Sequence, residues 1–245
     1  MEAKSEKERD FLKHLEAYLA KRDGVDKLLK ISRYASKFII SSSLLPQTHP
    51  VTRHLKSFES SVGLSRKAFR LGKFIQDVNA LRSAAREKSQ SRQLFLLSVL
   101  AYGGEGVYYF VEQIVWLSKS GLINARHARE LQKLSAWAEF VGYIGSITLK
   151  VEDLKEIDEK LKCLSSSIEI AVARDENCAE EREKEKVLRL KMMLKKMSIL
   201  QDFADGLMAL ADIRDGKRKI FTPFVLSCAG LLSALISTHK NWVSC

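Results

Sequence analysis

The residues best placed to do chemistry are Gly103, Gly104, Glu105 and Gly106, a glycine-rich run with a carboxylate at its centre. A phosphate-cradling loop would follow a strand and open a helix, whereas this run sits inside an apolar, helix-forming stretch, so its spacing does not support nucleotide chemistry. His14, His49, His54, His127 and His239 are scattered, and none accompanies a Ser or Cys in a nucleophile signature. Cys163, Cys178, Cys228 and Cys245 contain no CxxC pair and have no histidine at zinc-ligand spacing, which predicts free thiols in a reducing compartment. No P-loop, nucleophile elbow or HExxH helix occurs. These residues predict no catalytic, cofactor-binding or metal site. The remaining chemistry is electrostatic: 41 Lys and Arg against 30 Asp and Glu leave a formal charge of +11. The pI near 9.5 favours an anionic partner, either lipid or nucleic acid.

The elements that must position these charges are helical. In 245 residues there are 3 prolines and 12 glycines, and Leu, Ala, Lys, Glu and Ser abound. Apolar residues recur at helical spacing over 8–21, over about 25–40 and again from about 187 to 213, where Asp215-Gly216 ends the pattern. Ser41-Ser42-Ser43 and the stretch from Pro46 to Pro50 form the first convincing loop. The first twenty residues lack a secretory h-region, so the N-terminus is expected in the cytosol. Cys245 stands last instead of fourth from the end and makes no prenylation box.

From Leu64 to about Arg86 the spacing predicts one basic amphipathic helix. At about 100° per residue, Leu64, Ala68, Leu71, Ile75 and Val78 form a narrow apolar stripe, widened by Phe74 and Leu81. Arg66, Arg70 and Lys73 lie opposite it with Asp77, while Lys67 intrudes on the stripe and Phe69 falls outside it. Such a helix suits a bilayer interface, with the apolar stripe in the acyl boundary and the cations at phosphates. It equally suits a surface helix covering a protein core.

Two apolar blocks bear on the membrane question, since a span needs about 20 apolar residues. Residues 94–117 are long enough, but Glu105 and Glu112 share one helix face, and an acid at mid-membrane costs about 2.5–3.5 kcal/mol. Those acids must be paired, face a polar interior or sit near the interface. Gly103, Gly104, Glu105 and Gly106 are candidates for helix packing, with local flexibility the competing reading. Residues 136–149, the apolar part of a helix expected from about Asn124 to Leu149, are too short to span and are expected to pack against the preceding block in a helical hairpin. Residues 220–238 carry no charge and follow Lys217-Arg218-Lys219, which makes them the best transmembrane candidate, with a soluble core as the alternative. The mixed-charge stretch over 151–186 is expected to be a solvated linker or exposed helix.

The fold class expected is therefore all-α: a multi-helix membrane protein with amphipathic helices and one to three apolar membrane-embedded helices. Its regions are an N-terminal cytosolic region with the amphipathic membrane-binding helix (1–92), a membrane-associated helical hairpin (93–150), the charged linker (151–186), and a C-terminal helix and transmembrane segment (187–245). A soluble basic helical scaffold and a nucleic-acid-binding protein stand as alternatives. No helix-turn-helix, zinc finger or RNP-type sheet supports the latter.

KRDGVDKLLKISRY at 21–34, FRLGKFIQDVNALR at 69–82, LAYGGEGVYYFVEQIVWLSKSGLI at 100–123, SILQDFADGLMALADIRDGK at 198–217 and STHKNWVSC at 237–245 closely resemble the peroxin-11 family of peroxisomal membrane proteins, especially its plant A-type branch. The resemblance covers essentially the whole chain except the charged stretch near 174–186. It implies a multi-pass peroxisomal membrane protein, both termini cytosolic, that promotes elongation, proliferation and division of the organelle and has no catalytic residues. It further implies that the 64–81 region inserts into the bilayer. Arg66, Lys67, Arg70 and Lys73 would then meet anionic phospholipid headgroups, and Leu64, Leu71, Phe74, Ile75 and Val78 would enter the acyl layer. The partners it implies are copies of itself and its relatives, a membrane fission adaptor and a dynamin-related GTPase, and no nucleic acid.

Overall fold

Helix boundaries fall where the sequence supplies caps and breakers. A computed structural model describes residues 2–42, 44, 46, 48–87, 91–124, 126, 128–174, 177–214 and 221–245, with side chains from residue 10 onward. Among the described residues the regular structure is helical, with no strand. The helices are α1 (Glu2–Ala20), α2 (Arg22–Ser41), α3 (Pro50–Phe69), α4 (Phe74–Arg86), α5 (Arg92–Ser98), α6 (Gly104–Lys119), α7 (Ala128–Ala173), α8 (Ala179–Ile213) and α9 (Pro223–Val243). The His49 and Thr222 side chains cap the first turns of α3 and α9, each followed by Pro at N1, where its missing N–H costs nothing. A π-helical turn over Val99–Gly103 joins α5 to α6, so that Arg92–Lys119 runs as one helix.

The continuous helix expected over 64–86 is instead two helices. α3 ends at Phe69, residues 70–73 turn, and α4 starts at Phe74. Gly72 is the cause: its φ of 74° lies in the left-handed region that side chains with a Cβ avoid. Residues 151–173 of the mixed-charge stretch continue α7 as exposed helix, and α8 resumes at Ala179. Asp215-Gly216 and the cations Lys217-Arg218-Lys219 lie outside the described residues.

The helices close on themselves. α2 packs against α3, α3 against α6, α6 against α7, α7 against α8, α8 against α9 and α9 against α2, forming a ring of six. α4 lies on α6, and α5 against α7, outside that ring. At α6 and α7 the backbones nearly touch: a Cβ on Gly104 would stand 2.6 Å from the Gly142 nitrogen, and one on Gly145 2.5 Å from that of Ala101. Small residues at such crossings replace hydrophobic driving force with close packing. α7 has 46 residues, or about 69 Å at 1.5 Å per residue, so its charged half extends well past the ring alongside α8.

Candidate functional site: a polar cavity inside an apolar ring

In a water-soluble bundle the helices turn apolar residues inward, and charged residues are almost never fully buried without partners. Here buried polar and charged residues are about as frequent as buried apolar ones among the described residues. Asp26, Lys30, Arg66, Asp77, Glu112, Asp202 and Asp205 are buried. Phe95, Leu96, Val107, Phe110, Leu134, Trp137, Ile144, Leu200, Phe203, Phe224 and Leu235 are exposed. Ionisable groups inside and large apolar groups outside are what hydrocarbon around the bundle requires. The 28-residue Arg92–Lys119 helix, with an 18-residue window of mean hydropathy 1.4, is long and apolar enough to cross a bilayer, and 22% of that window is buried. That low burial separates it from the core helix of a soluble protein. Among the described residues it is the one helix that qualifies, so the leading place expected for 220–238 passes to this segment. The described part, α9, spends its inner face on Ser227, Gly230, Ser233, Ala234 and Ser237 and ends in His239, Lys240 and Asn241.

The ring encloses a cavity of about 370 Å³. Helical spacing puts Lys27, Lys30, Arg33 and Tyr34 of α2 on it, Arg66 and Lys67 of α3, and Glu105, Tyr108, Tyr109 and Glu112 of α6. α7 adds Glu139 and Lys150, α8 adds Asp202, Asp205 and Asp212, and α9 adds Lys240. The ion pairs tie the helices across the interior. Arg66 Nε donates to Asp26 Oδ1 at 3.0 Å. Arg70 Nη1 donates to the Tyr108 hydroxyl at 2.8 Å. Lys30 Nζ reaches both oxygens of Asp205, at 3.0 and 3.1 Å, and Ser233 Oγ at 2.6 Å, joining α2, α8 and α9. Lys67 pairs with Glu112, and Lys150 with Asp202. Burial pushes the Asp26 carboxyl upward, but the Arg70 and Arg66 guanidinium groups outweigh it and hold the group well below the usual carboxylate range.

The four basic residues expected at lipid headgroups therefore face inward. Arg66 is 5% exposed, Lys67 and Arg70 are engaged by Glu112, Tyr108 and Asp26, and Lys73 lies 3.8 Å from Asp23 and 4.9 Å from the centre of the Tyr109 ring. The apolar set divides. Leu64, Leu71, Ile75 and Val78 point outward, with Ile75 53% exposed, while Phe74 stacks edge-to-face on Phe110 at 5.6 Å. Within the glycine run, Gly104 lies at the α7 crossing, Gly106 beside Asp77, Gly103 near the Val99 side chain, and Glu105 on the cavity wall. Glu112 takes the paired alternative that its place in an apolar helix demanded.

The network through Asp26, Lys30, Glu139, Asp202 and Asp205 was missed in the sequence, although a signal is there. Asp26, Lys30, Arg33 and Lys37 recur every three to four residues on α2, as Asp202 and Asp205 do on α8. That spacing marks a polar stripe without telling whether it faces water or an interior.

The comparisons with known proteins agree with one another. The family model described as Peroxisomal biogenesis factor 11 (PEX11) matches residues 12–242. The chain is 61% identical over 239 residues to Peroxisomal membrane protein 11A of Arabidopsis thaliana, covering 98% of this chain and 95% of that one. It is 53% identical over 237 residues to Peroxisomal membrane protein 11-3 of Oryza sativa subsp. japonica, covering 97% and 91%. With Peroxisomal membrane protein 11B of Arabidopsis thaliana it shares 35% identity over 236 residues, 96% and 99% of the two chains. No solved structure matches it.

Proposed function

The chain belongs to the peroxisomal biogenesis factor 11 family, and from that premise we propose that it resides in the peroxisomal membrane and promotes elongation, proliferation and division of the organelle by reshaping the bilayer. The observation that carries the physical part of this reading is the outward apolar surface at the α3–α4 turn. Leu71 in the turn and Ile75 and Val78 on the short α4, which Gly72 turns away from α3, project there beside the Arg92–Lys119 span. An apolar helix face seated about 5–10 Å into one leaflet expands that leaflet relative to the other and favours convex curvature. Anionic phospholipid is the expected medium, given the formal charge of +11. Self-association, and association with relatives, concentrates these wedges. A fission adaptor and a dynamin-related GTPase sever the tubule. The chain spans the membrane more than once, with both termini in the cytosol. No step calls for catalysis by this chain.

The test is tubulation of liposomes by the purified full-length protein. Replacing Leu71 and Ile75 together by Asp abolishes tubulation while the protein remains in the membrane fraction, because each charge at mid-leaflet costs up to about 2.5–3.5 kcal/mol. Unchanged tubulation by this variant sinks the wedge mechanism.

A further inference from the structure

The cavity carries more positive charge than its carboxylates neutralise. Ten Lys and Arg side chains line it against six Asp and Glu, and Asp26, paired with Arg66 and close to Arg70, makes seven carboxylates. Uncompensated charge of one sign in a largely water-excluded space is costly unless a counter-ion joins it. One donor is openly unmet: Arg66 is 5% exposed, yet its Nη2 has no hydrogen-bond acceptor, and the neighbouring Arg70 Nε also lacks one. Asp26 does not fill the gap. Its Oδ1 serves Arg66 Nε and lies 3.4 Å from Arg70 Nε, while its Oδ2 makes no hydrogen bond. Lys27 lies 3.8 Å from that oxygen, beyond hydrogen-bond distance.

We propose that the cavity binds a phosphoryl group between α2 and α3, held by Arg66 Nη2, Arg70, Lys27 and Lys73. A tetrahedral dianion supplies negative charge and acceptors in several directions to cations that belong to separate elements, Lys27 on α2, Arg66 on α3, and Arg70 and Lys73 in the turn that follows it. Guanidinium groups recognise phosphate with directed N–H bonds, and lysines add point charge. About 370 Å³ lies within the range of small-molecule sites and holds more than a lone phosphate, and Tyr34, Tyr108 and Tyr109 line the remainder. The site depends on the interior and not on the Leu71–Val78 surface, so it stands or falls separately from membrane tubulation.

The source of the phosphoryl group, a soluble ligand or a lipid headgroup reaching between the helices, is settled by a two-armed measurement on the full-length protein in nanodiscs. In phosphatidylcholine discs, inorganic pyrophosphate gives saturable binding by calorimetry and raises the unfolding temperature. Lys27→Gln or Lys73→Gln weakens it about tenfold or more, whereas Lys160→Gln on the exposed half of α7 changes nothing. If the source is a headgroup, pyrophosphate gives no heat, and discs containing phosphatidic acid raise the unfolding temperature of the unaltered protein but not of Lys27→Gln. Circular dichroism of both glutamine variants verifies the helical fold, so that either alone can decide. Stabilisation by neither pyrophosphate nor phosphatidic acid, or stabilisation indifferent to both substitutions, overturns the proposal.

Discussion

Asp26 serves two guanidinium groups inside the bundle. Its carboxylate lies between Arg66 and Arg70, with side-chain exposure of 2%, and joins α2 to α3 and the turn beyond. Removing one member of a buried ion pair leaves the other charge uncompensated, a loss of about 3–5 kcal/mol. Asp26→Asn, nearly the same in shape, is expected to lose that much in thermal or denaturant unfolding of the detergent-solubilised protein. A loss below about 1 kcal/mol would mean that Arg66 and Arg70 are neutralised by another group. The identities of these residues were legible in the sequence, but their partners were not. Arg66, Arg70 and Lys73 stand out as a basic face, yet Asp26 lies 40 residues before Arg66 and Asp205 lies 175 residues after Lys30. Local spacing carries no information about such pairings. The inward direction of the basic face was hidden for a related reason: an amphipathic helix has two faces, and only its neighbours determine which one meets the interior.

Helices were the most legible elements, because few prolines and glycines interrupt the periodicity and the breaks near Pro50, Gly72, Gly121 and Pro223 each coincide with a visible breaker. The helix expected over 64–86 divides at a glycine. Gly72 sits in the middle of an unbroken stripe from Leu64 to Val78, and projecting that stripe on a wheel concealed the turn that a positive φ creates. The converse holds for Gly103, Gly104 and Gly106, which look equivalent in sequence and are not. A Cβ at position 104 meets the α7 backbone at 2.6 Å, whereas at 103 the nearest side-chain atom is 4.0 Å away. Gly104→Ala should therefore separate α6 from α7 and cost at least the roughly 1–3 kcal/mol typical of overpacking. Gly103→Ala should be neutral or stabilising by up to about 1 kcal/mol through helix propensity. Thermal unfolding of the two variants side by side checks this, and equal effects would contradict the α6–α7 crossing.

At the scale of the whole molecule, the ring of six helices resolves a tension in the composition. A chain with formal charge +11 and many ionisable residues is a poor candidate for hydrocarbon, yet its apolar blocks are too long to ignore. Closing the ring sends the charges of α2, α3, α6, α7 and α8 to one shared interior, where carboxylates pair with cations across helices. The exterior is left to Leu96, Val107, Phe110, Trp137, Ile144, Phe203 and their neighbours. Hydropathy averaged along the chain detects such helices poorly, since each carries a polar face as well as an apolar one. That is why Arg92–Lys119 alone qualifies by composition although the outward apolar surface extends over several helices. The charged half of α7 and its α8 partner project from the ring, carrying exposed ion pairs such as Lys160–Glu156 and Lys184–Glu180 suited to water.

The claim that this outward surface is immersed in lipid is tested most directly by alkaline carbonate extraction of the tagged full-length protein from isolated organelles, with protease protection of both termini. The account predicts that the protein stays in the membrane pellet and that protease removes both tags. Release into the supernatant would contradict it, making the polar cavity the interior of a peripheral or soluble bundle whose apolar surface is covered by another protein.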